Sequence, residues 1–344
     1  LASVNLETLQ DQLQRFANAH YGVDATVGRA QVMPGHAGLS FGFRVAYQKE
    51  GTPCEDSLVM RLPPKGVRQS GNTDVLRQVP LLEALKRDGV PVPAVRWFGD
   101  DPEWFEVPYL MVEWMDGRTF SVWDPDVSFD RSPRAVAGIY EQAVLALAKV
   151  HRLDWRKELA GWDPPRSIEE EIGHWDSILA RAAEPEWVSQ GEEVRGLLLE
   201  RQPEDPPVGV FHGDYQGTNL LFHNQDGEEL VALLDWEISG IGAQLLDLGW
   251  LLVFIDPLSW SAEYGPIASV PPAEPLIALY EASTGRTVED IAWYRAMAGY
   301  RFGVIAGFNV MLHRKGKRHD PEWEWLAFSV SALFGRAKEM LLSL

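Results

Sequence analysis

The sequence predicts an α+β fold in two parts, a small β-rich N-terminal part and a larger helical C-terminal part. Three observations predict it. Short apolar runs punctuated by Gly and Pro fill residues 25–115, with one helical pattern in their middle. From about residue 132 apolar residues recur at three- and four-residue spacing over long stretches. The change falls at a short connector, Met115 to Gly117, which divides the chain into residues 1–115 and 116–344.

The elements follow in order. "LETLQDQLQRFANAH" sets Leu6, Leu9, Leu13 and Phe16 on one face of a first helix. "DATVGRAQVM", "FGFRVAYQ" and "DSLVMRLP" read as three strands. "NTDVLRQVPLLEALKRDG" reads as a helix capped by Asn72 or Thr73 and stopped by Gly89, with Pro80 marking a kink or a later start. "VPVPAVRWFG" and "VPYLMVEWM" complete a set of five strands. Beyond the connector, "SPRAVAGIYEQAVLALAKVHRL", "SIEEEIGHWDSILARAA" and "GEEVRGLLLERQ" read as helices. So do "EPLIALYEAST", "VEDIAWYRAMAGYRFGVIAGFNVML" and "PEWEWLAFSVSALFGRAKEML". Two short strands, "NLLFH" and "VALLDW", interrupt them.

Composition bounds the function. The 344 residues are 46% hydrophobic and 24% charged, as in a globular chain with no low-complexity tract. No apolar run approaches the ~20 residues of a membrane helix, and the N-terminal residues lack a basic region followed by an apolar core. The single cysteine, Cys54, excludes an internal disulfide and a multi-cysteine metal site. A cytoplasmic location fits these features. The net charge of -19 argues against a general nucleic-acid surface. It leaves room for a local phosphate site, where Mg²⁺ reverses the sign of the field.

The chemistry concentrates in "HGDYQGTNLLFH", which follows the apolar lead-in "VGVF". Read alone, Gly, Asp and Asn at these intervals make a turn. Asp235 follows at the end of "LVALLDWE", and strand-end Asp and Asn are the hard oxygen ligands that Mg²⁺ takes. The intervals of His212, Asp214, Asn219 and Asp235 match the H-R-D-x-x-x-x-N loop and following metal-binding Asp of protein kinases. The β-rich part should then hold nucleotide. In "PGHAGLSFGFRV", Gly35, Gly38 and Gly42 would let backbone approach phosphates with Ser40 at the tip, although glycines between strands also make ordinary hairpins. Arg61, in "LVMRLPP", stands where a kinase places its phosphate-binding lysine. Gln78 occupies the helical register of the glutamate that orients that lysine, and Glu83 faces about 140° away. In "YLMVEWMDG" the backbone of Glu113 and Met115 would bond an adenine edge and Met111 would line its back, though alternating strand faces explain the same letters.

These segments resemble the aminoglycoside phosphotransferase-like kinases, and most closely the branch related to the kinase domains fused to acyl-CoA dehydrogenases. The resemblance covers roughly residues 25–310 and rests on "LVMRLPP", "VPVPAV", "YLMVEWMDG", "HGDYQGTNLLFH" and "LLDWEISGIGAQLLDLGWLL". It implies a protein-kinase-like two-lobed fold and transfer of the γ-phosphate of ATP (or GTP), with Mg²⁺, to a small-molecule hydroxyl. It implies Asp214 as catalytic base, Asn219 and Asp235 as Mg²⁺ ligands, Arg61 at the phosphates and Asp247 as support of the catalytic loop. His212 itself reads as holding that loop, through Asp247, rather than as doing chemistry. Glu237 matches an acidic position near the metal whose role stays open. The chain departs from the pattern at Gln78 and at Gly242-Ala243-Gln244, where the family often reads Gly-Asp-Pro.

Two other readings compete. One is a nucleotide-binding kinase-like protein with weak or no transfer activity, motivated by Arg61 and Gln78. The other is a carboxylate metallohydrolase using Asp214, Asp235 and Asp247, for which no histidine cluster speaks. For the acceptor, Glu169 to Glu171 would suit a cation, and Arg314, Lys315, Lys317 and Arg318 an anion such as a CoA phosphate.

Overall fold

The computed structural model describes residues 5–33, 39–63, 66, 69–223 and 228–344. The chain folds as two compact units. One comprises residues 1–117 with the returning segment 231–238, the other residues 118–230 and 239–344.

In the first unit, α1 (Leu6–Tyr21) starts at Asn5, whose side chain accepts the Glu7 and Thr8 amides. Leu9, Leu13, Phe16 and Ala17 are its buried stripe, while Leu6, expected on that face, is exposed. The segment expected as one strand forms two short ones, β1 (Thr26–Val27) and β2 (Gln31–Val32). The reason lies in α1. Gln14 binds the backbone of Ala25 and Val27, and Gln10 that of Val27, Gly28 and Ala30, so side-chain amides satisfy groups that a strand partner would otherwise take.

β3 (Leu39–Lys49) and β4 (Thr52–Leu62) form a long hairpin closed by Glu50-Gly51, both at positive φ, as a two-residue loop between right-twisted strands requires. Phe41, Phe43 and Val45 alternate inward from β3, and Leu58, Met60 and Leu62 from β4. With β5 (Val95–Gly99) and β6 (Tyr109–Glu113) these strands make an antiparallel sheet of order β1-β3-β4-β6-β5, with β2 also on β3. Between β4 and β5, α2 (Gln78–Arg87) begins later than Asn72 or Thr73. A 3-10 turn occupies Gly71–Thr73, and the Asp74 side chain then accepts the Leu76 and Arg77 amides. Pro80 sits in the first turn, where its missing N–H costs no helical bond. A short α3 (Pro102–Phe105), not expected, is capped by Asp101.

In the second unit, β7 (Arg118–Thr119) precedes α4 (Pro133–His151), which Ser132 caps, and α5 (Trp155–Glu158). The expected "SIEEEIGHWDSILARAA" helix is broken at His174-Trp175 into α6 (Ile168–Gly173) and α7 (Asp176–Leu179). After α8 (Pro185–Glu200), β8 (Val208–Phe211) leads to the His212 loop, and β9 (Leu220–His223) leaves it to pair with β7. β10 (Glu229–Leu233) carries the chain to the returning segment. β11 (Gly240–Ala243) pairs antiparallel with β8, and its Gly240 leaves space that Phe211 and Arg166 fill.

α9 (Leu245–Val253) is buried along its whole length. It was not foreseen as a helix, because an almost unbroken apolar run carries no period. α10 (Ala273–Thr284) and α11 (Ile291–Arg314) follow. α11 packs on α9 and on α13 (Val330–Leu342), and α12 (Glu322–Ala327) is separated from α13 by the buried Ser329, whose hydroxyl accepts the Ser261 amide. The single C-terminal helix expected there is thus two. Among the described residues no helix is long and apolar enough to cross a membrane.

Candidate active site

In the second unit, β8 delivers the chain into His212-Gly213-Asp214, and the shape of that loop is set by Asp247. Asp247 lies in the first turn of α9 and is 0% exposed. Its Oδ2 accepts the His212 amide at 2.6 Å and its Oδ1 the Gly213 amide at 2.8 Å. Two consecutive peptide N–H groups on one carboxylate bend the loop sharply, and Gly213 takes the required φ of 89°. His151, at the end of α4, lies 3.3 Å from Asp247 Oδ2 through Nε2 and 2.6 Å from the Tyr280 hydroxyl through Nδ1. Burial pushes the Tyr280 phenol up to about 12. It is therefore neutral and able to donate. His212 is fully buried, and its Nδ1 accepts the Asp214 amide at 3.2 Å.

Asp214 itself is half-buried and held at both oxygens. Oδ1 accepts from Trp250 Nε1 at 2.8 Å and from Gln216 Nε2 at 2.9 Å. Oδ2 accepts from Asn219 Nδ2 at 2.9 Å, and the same nitrogen donates to the Asp214 carbonyl. Asn219 closes a 3-10 turn, Gly217–Asn219, and with its nitrogen committed to Asp214 its Oδ1 is the atom suited to a cation. Gly217 is forced by space, since a side chain there would run into the Phe120 carbonyl.

In the first unit, strand register sets Ser40 of β3 opposite Arg61 of β4. Arg61 does not depend on Gln78 for a partner. Its Nη2 donates to Glu237 Oε2 at 2.7 Å and to Asp235 Oδ1 at 3.0 Å, both on the returning segment. Gln78 is buried in the first turn of α2, and Glu83 is exposed. Asp235 was expected at a strand end. β10 stops at Leu233, and Asp235 follows in the left-handed region at φ 63°, a conformation rare for a residue other than Gly, Asn or Asp. Trp236, behind it, is buried and donates to the Leu233 carbonyl.

The remaining nucleotide-side residues are on β6 and just past it. Met111 is fully buried between Met60 and Trp97 in register. The Glu113 amide is spent on the Ala94 carbonyl at 2.9 Å, so only its carbonyl could reach an adenine edge. Met115 is half-buried beyond the strand. Gly35 and Gly38 lie outside the described residues. The space beside Gly42 is filled by Trp114 and Met33, so this glycine serves packing rather than approach to phosphates.

The charged candidates for acceptor recognition are largely paired. Glu171 is buried against Arg166 at 3.0 Å, and Glu170 completes a capping box with Ser167, which leaves Glu169 at the surface. Arg314 meets Glu324 and Glu184, and Arg318 meets Asp320. Trp250, Gln216, His151 and Tyr280 escaped the sequence reading. Trp250 had a usable signal, standing three residues after Asp247 and so on the same helical side.

The profile of the phosphotransferase enzyme family matches residues 36–295. The chain is similar to human acyl-CoA dehydrogenase family member 11, with 25% identity over 316 residues that make up 86% of this chain and 39% of that protein. It therefore spans about two fifths of the length of that relative. A putative aminoglycoside phosphotransferase from Ralstonia eutropha JMP134 has the same fold, with a TM-score of 0.77 at 20% identity over 97% of this chain and 98% of that one. Spectinomycin phosphotransferase, solved with ADP and spectinomycin, superposes with a TM-score of 0.61 at 10% identity over 96% and 98%. The α+β architecture, the relation to the acyl-CoA dehydrogenase-linked proteins and a match that runs from β3 through Asp214 and Asp247 agree, and the chain belongs to the phosphotransferase enzyme family.

Proposed function

We propose that the protein is a small-molecule kinase that moves the γ-phosphate of ATP, or of GTP, to a hydroxyl. The observation that carries this reading is the Asp214 carboxylate, oriented by the three N–H donors of Trp250, Gln216 and Asn219. Those donors fix the plane of the carboxylate and leave a lone pair of Oδ2 for an acceptor O–H. Asp214 accepts the hydroxyl proton as the oxygen attacks phosphorus, and Asp247 keeps the loop in place through the backbone. Positioning of this kind supplies much of the catalysis in phosphoryl transfer.

Asn219 and Asp235 offer the hard oxygen atoms that Mg²⁺ accepts. Among the described residues no group of three or more His, Cys, Asp or Glu gathers as a metal site. That fits an ion that takes its other ligands from phosphates and water. When bound, Mg²⁺ would neutralise charge on the β- and γ-phosphates. Arg61, with its guanidinium fork, serves the inner phosphates. Its two carboxylate partners hold it meanwhile, which weakens the case for a disabled site based on the neutral Gln78.

The test is Asp214→Asn. Turnover, read as ADP release on a panel of hydroxyl compounds, falls by about 100-fold or more, while nucleotide affinity by calorimetry stays near that of the unaltered protein. Undiminished turnover in this variant would remove Asp214 from the mechanism.

A further inference from the structure

Arg301, on α11, lies beyond the residues the family profile matches. It is only 7% exposed. Its guanidinium carbon sits over the Trp250 ring at 4.5 Å and over the Trp175 ring at 5.0 Å. The Trp250 indole that Arg301 covers is the one whose edge donates to Asp214. One aromatic ring thus separates a buried cation from the proposed base.

Among the described residues nothing takes a hydrogen bond from this guanidinium. Nε is buried and has no hydrogen-bond partner among the described residues. Arg118, Arg201 and Arg295 also have a buried, unpartnered Nε. Each of these spends a terminal nitrogen on a neighbour: Glu228, the Leu341 carbonyl and Asp256 respectively. No such bond or ion pair reaches Arg301 from the described residues.

Nearby carboxylates offset its charge but none of them supplies a direct partner. The carboxylates in its field are Glu171, Asp214 and Asp247. Glu171 is paired with Arg166, Asp214 holds three N–H donors, and Asp247 holds two peptide amides and His151. None of the three hydrogen-bonds Arg301: each meets other donors instead. Burial pulls the Arg301 guanidinium below its ordinary value, the direction expected of a cation kept from water without a close partner. Buried polar groups are almost always hydrogen-bonded, and a planar fork of five donors matches an oxyanion best.

We propose that Arg301 binds an oxyanion on the acceptor, so that the protein phosphorylates a hydroxyl on a molecule that also carries a carboxylate or a phosphate ester. The inference rests on the reading of Asp214 as the group that receives the acceptor hydroxyl. It sets this chain apart from a kinase for cationic acceptors, since an ammonium group beside Asp214 would face Arg301. The Trp250 and Trp175 rings meet the guanidinium carbon through their faces, a contact that favours the cation and leaves the N–H edge for an oxyanion.

The experiment uses the full chain and hydroxyl compounds matched except for one terminus: glycerol, glycerate, glycerol 3-phosphate and 3-amino-1,2-propanediol, with longer homologues of each. ADP release and thermal stability are read with nucleotide present. The glycerate-like or phosphate-ester members are preferred over the neutral and amine members, and which of the two leads identifies the source of the oxyanion. Arg301→Met raises KM for the preferred member on the order of 30-fold, and Arg301→Lys, which keeps the charge and loses the fork, lies between. Preference for amine or neutral members, or an unchanged KM in Arg301→Met, overturns the proposal. If no member turns over, malonate and inorganic phosphate replace the acceptor in the ADP-bound protein. Stabilisation present in the unaltered chain and lost in Arg301→Met supports the site, and stabilisation equal in both, or absent from both, refutes it. Failure of nucleotide to bind would count against the kinase reading itself, whereas these anion measurements, repeated without ADP, still decide the role of Arg301.

Discussion

Trp250 touches two charges at once. Its N–H holds Asp214 Oδ1 at 2.8 Å and its face carries Arg301 at 4.5 Å. Trp250→Phe keeps most of the ring and removes the donor. A hydrogen bond to an ionised group contributes about 1.5–3 kcal/mol, so kcat should fall roughly tenfold or more while nucleotide affinity holds. Steady-state kinetics beside nucleotide titrations check this. An unchanged kcat would mean that Gln216 and Asn219 orient Asp214 without help. The neighbouring residues show how far letters carry. Intervals along the chain sufficed to single out Asp214, Asn219 and Asp235 in the sequence. Trp250 lies 36 positions from Asp214, and His151 lies 96 from Asp247, so their contacts exist only once the helices pack. Nothing in the spacing of α11, which also carries Arg295 and Arg314, sets Arg301 apart.

At the level of elements, α9 and α11 meet at Gly249. A Cβ there would come within 2.5 Å of the Tyr294 carbonyl and 3.0 Å of its Cβ. Backbone cannot yield as a flexible side chain can, so Gly249→Ala should destabilise the protein by about 1–3 kcal/mol. Urea unfolding measures the cost, and a midpoint equal to that of the unaltered chain would show that the two helices can separate freely. The loop feels this contact too, because α9 carries Asp247 two residues earlier. Helices with a clear apolar stripe, such as α1 and α4, were legible from spacing. Breaks inside helical patterns were not. The first break directly follows Gly173, a single glycine too weak a mark on its own; Phe328-Ser329 has no Gly or Pro, and that break follows from a buried serine serving a distant amide. The double strand β1 and β2 was hidden for a related reason, since its backbone partners are glutamine side chains on α1.

Over the whole molecule, buried phenols govern the alkaline limit of stability. Burial pushes Tyr21 and Tyr280 from the ordinary value of 10.0 up to about 12, and raises Tyr140, Tyr215, Tyr294 and Tyr300 as well. Below pH 10 folded and unfolded chains both keep these protons, and stability is undiminished. Between 10 and 12 the unfolded chain releases protons that the folded chain retains, so stability is lost as pH rises through that window. Unfolding midpoints at pH 8 to 11.5 should be level at first and then fall steeply, with phenolate absorbance appearing together with unfolding. Tyrosine ionisation well ahead of unfolding would show that these rings are open to water. The returning segment has a further consequence. The backbone passes between the two units at 117–118, 230–231 and 238–239. Cutting the chain once therefore cannot release an intact first unit: a fragment of residues 1–117 would keep Arg61 but lose Asp235 and Glu237, the carboxylates that receive it. The chain is cross-woven rather than strung in series, so neither half can be inherited, swapped or expressed by itself without severing that ion-paired cluster.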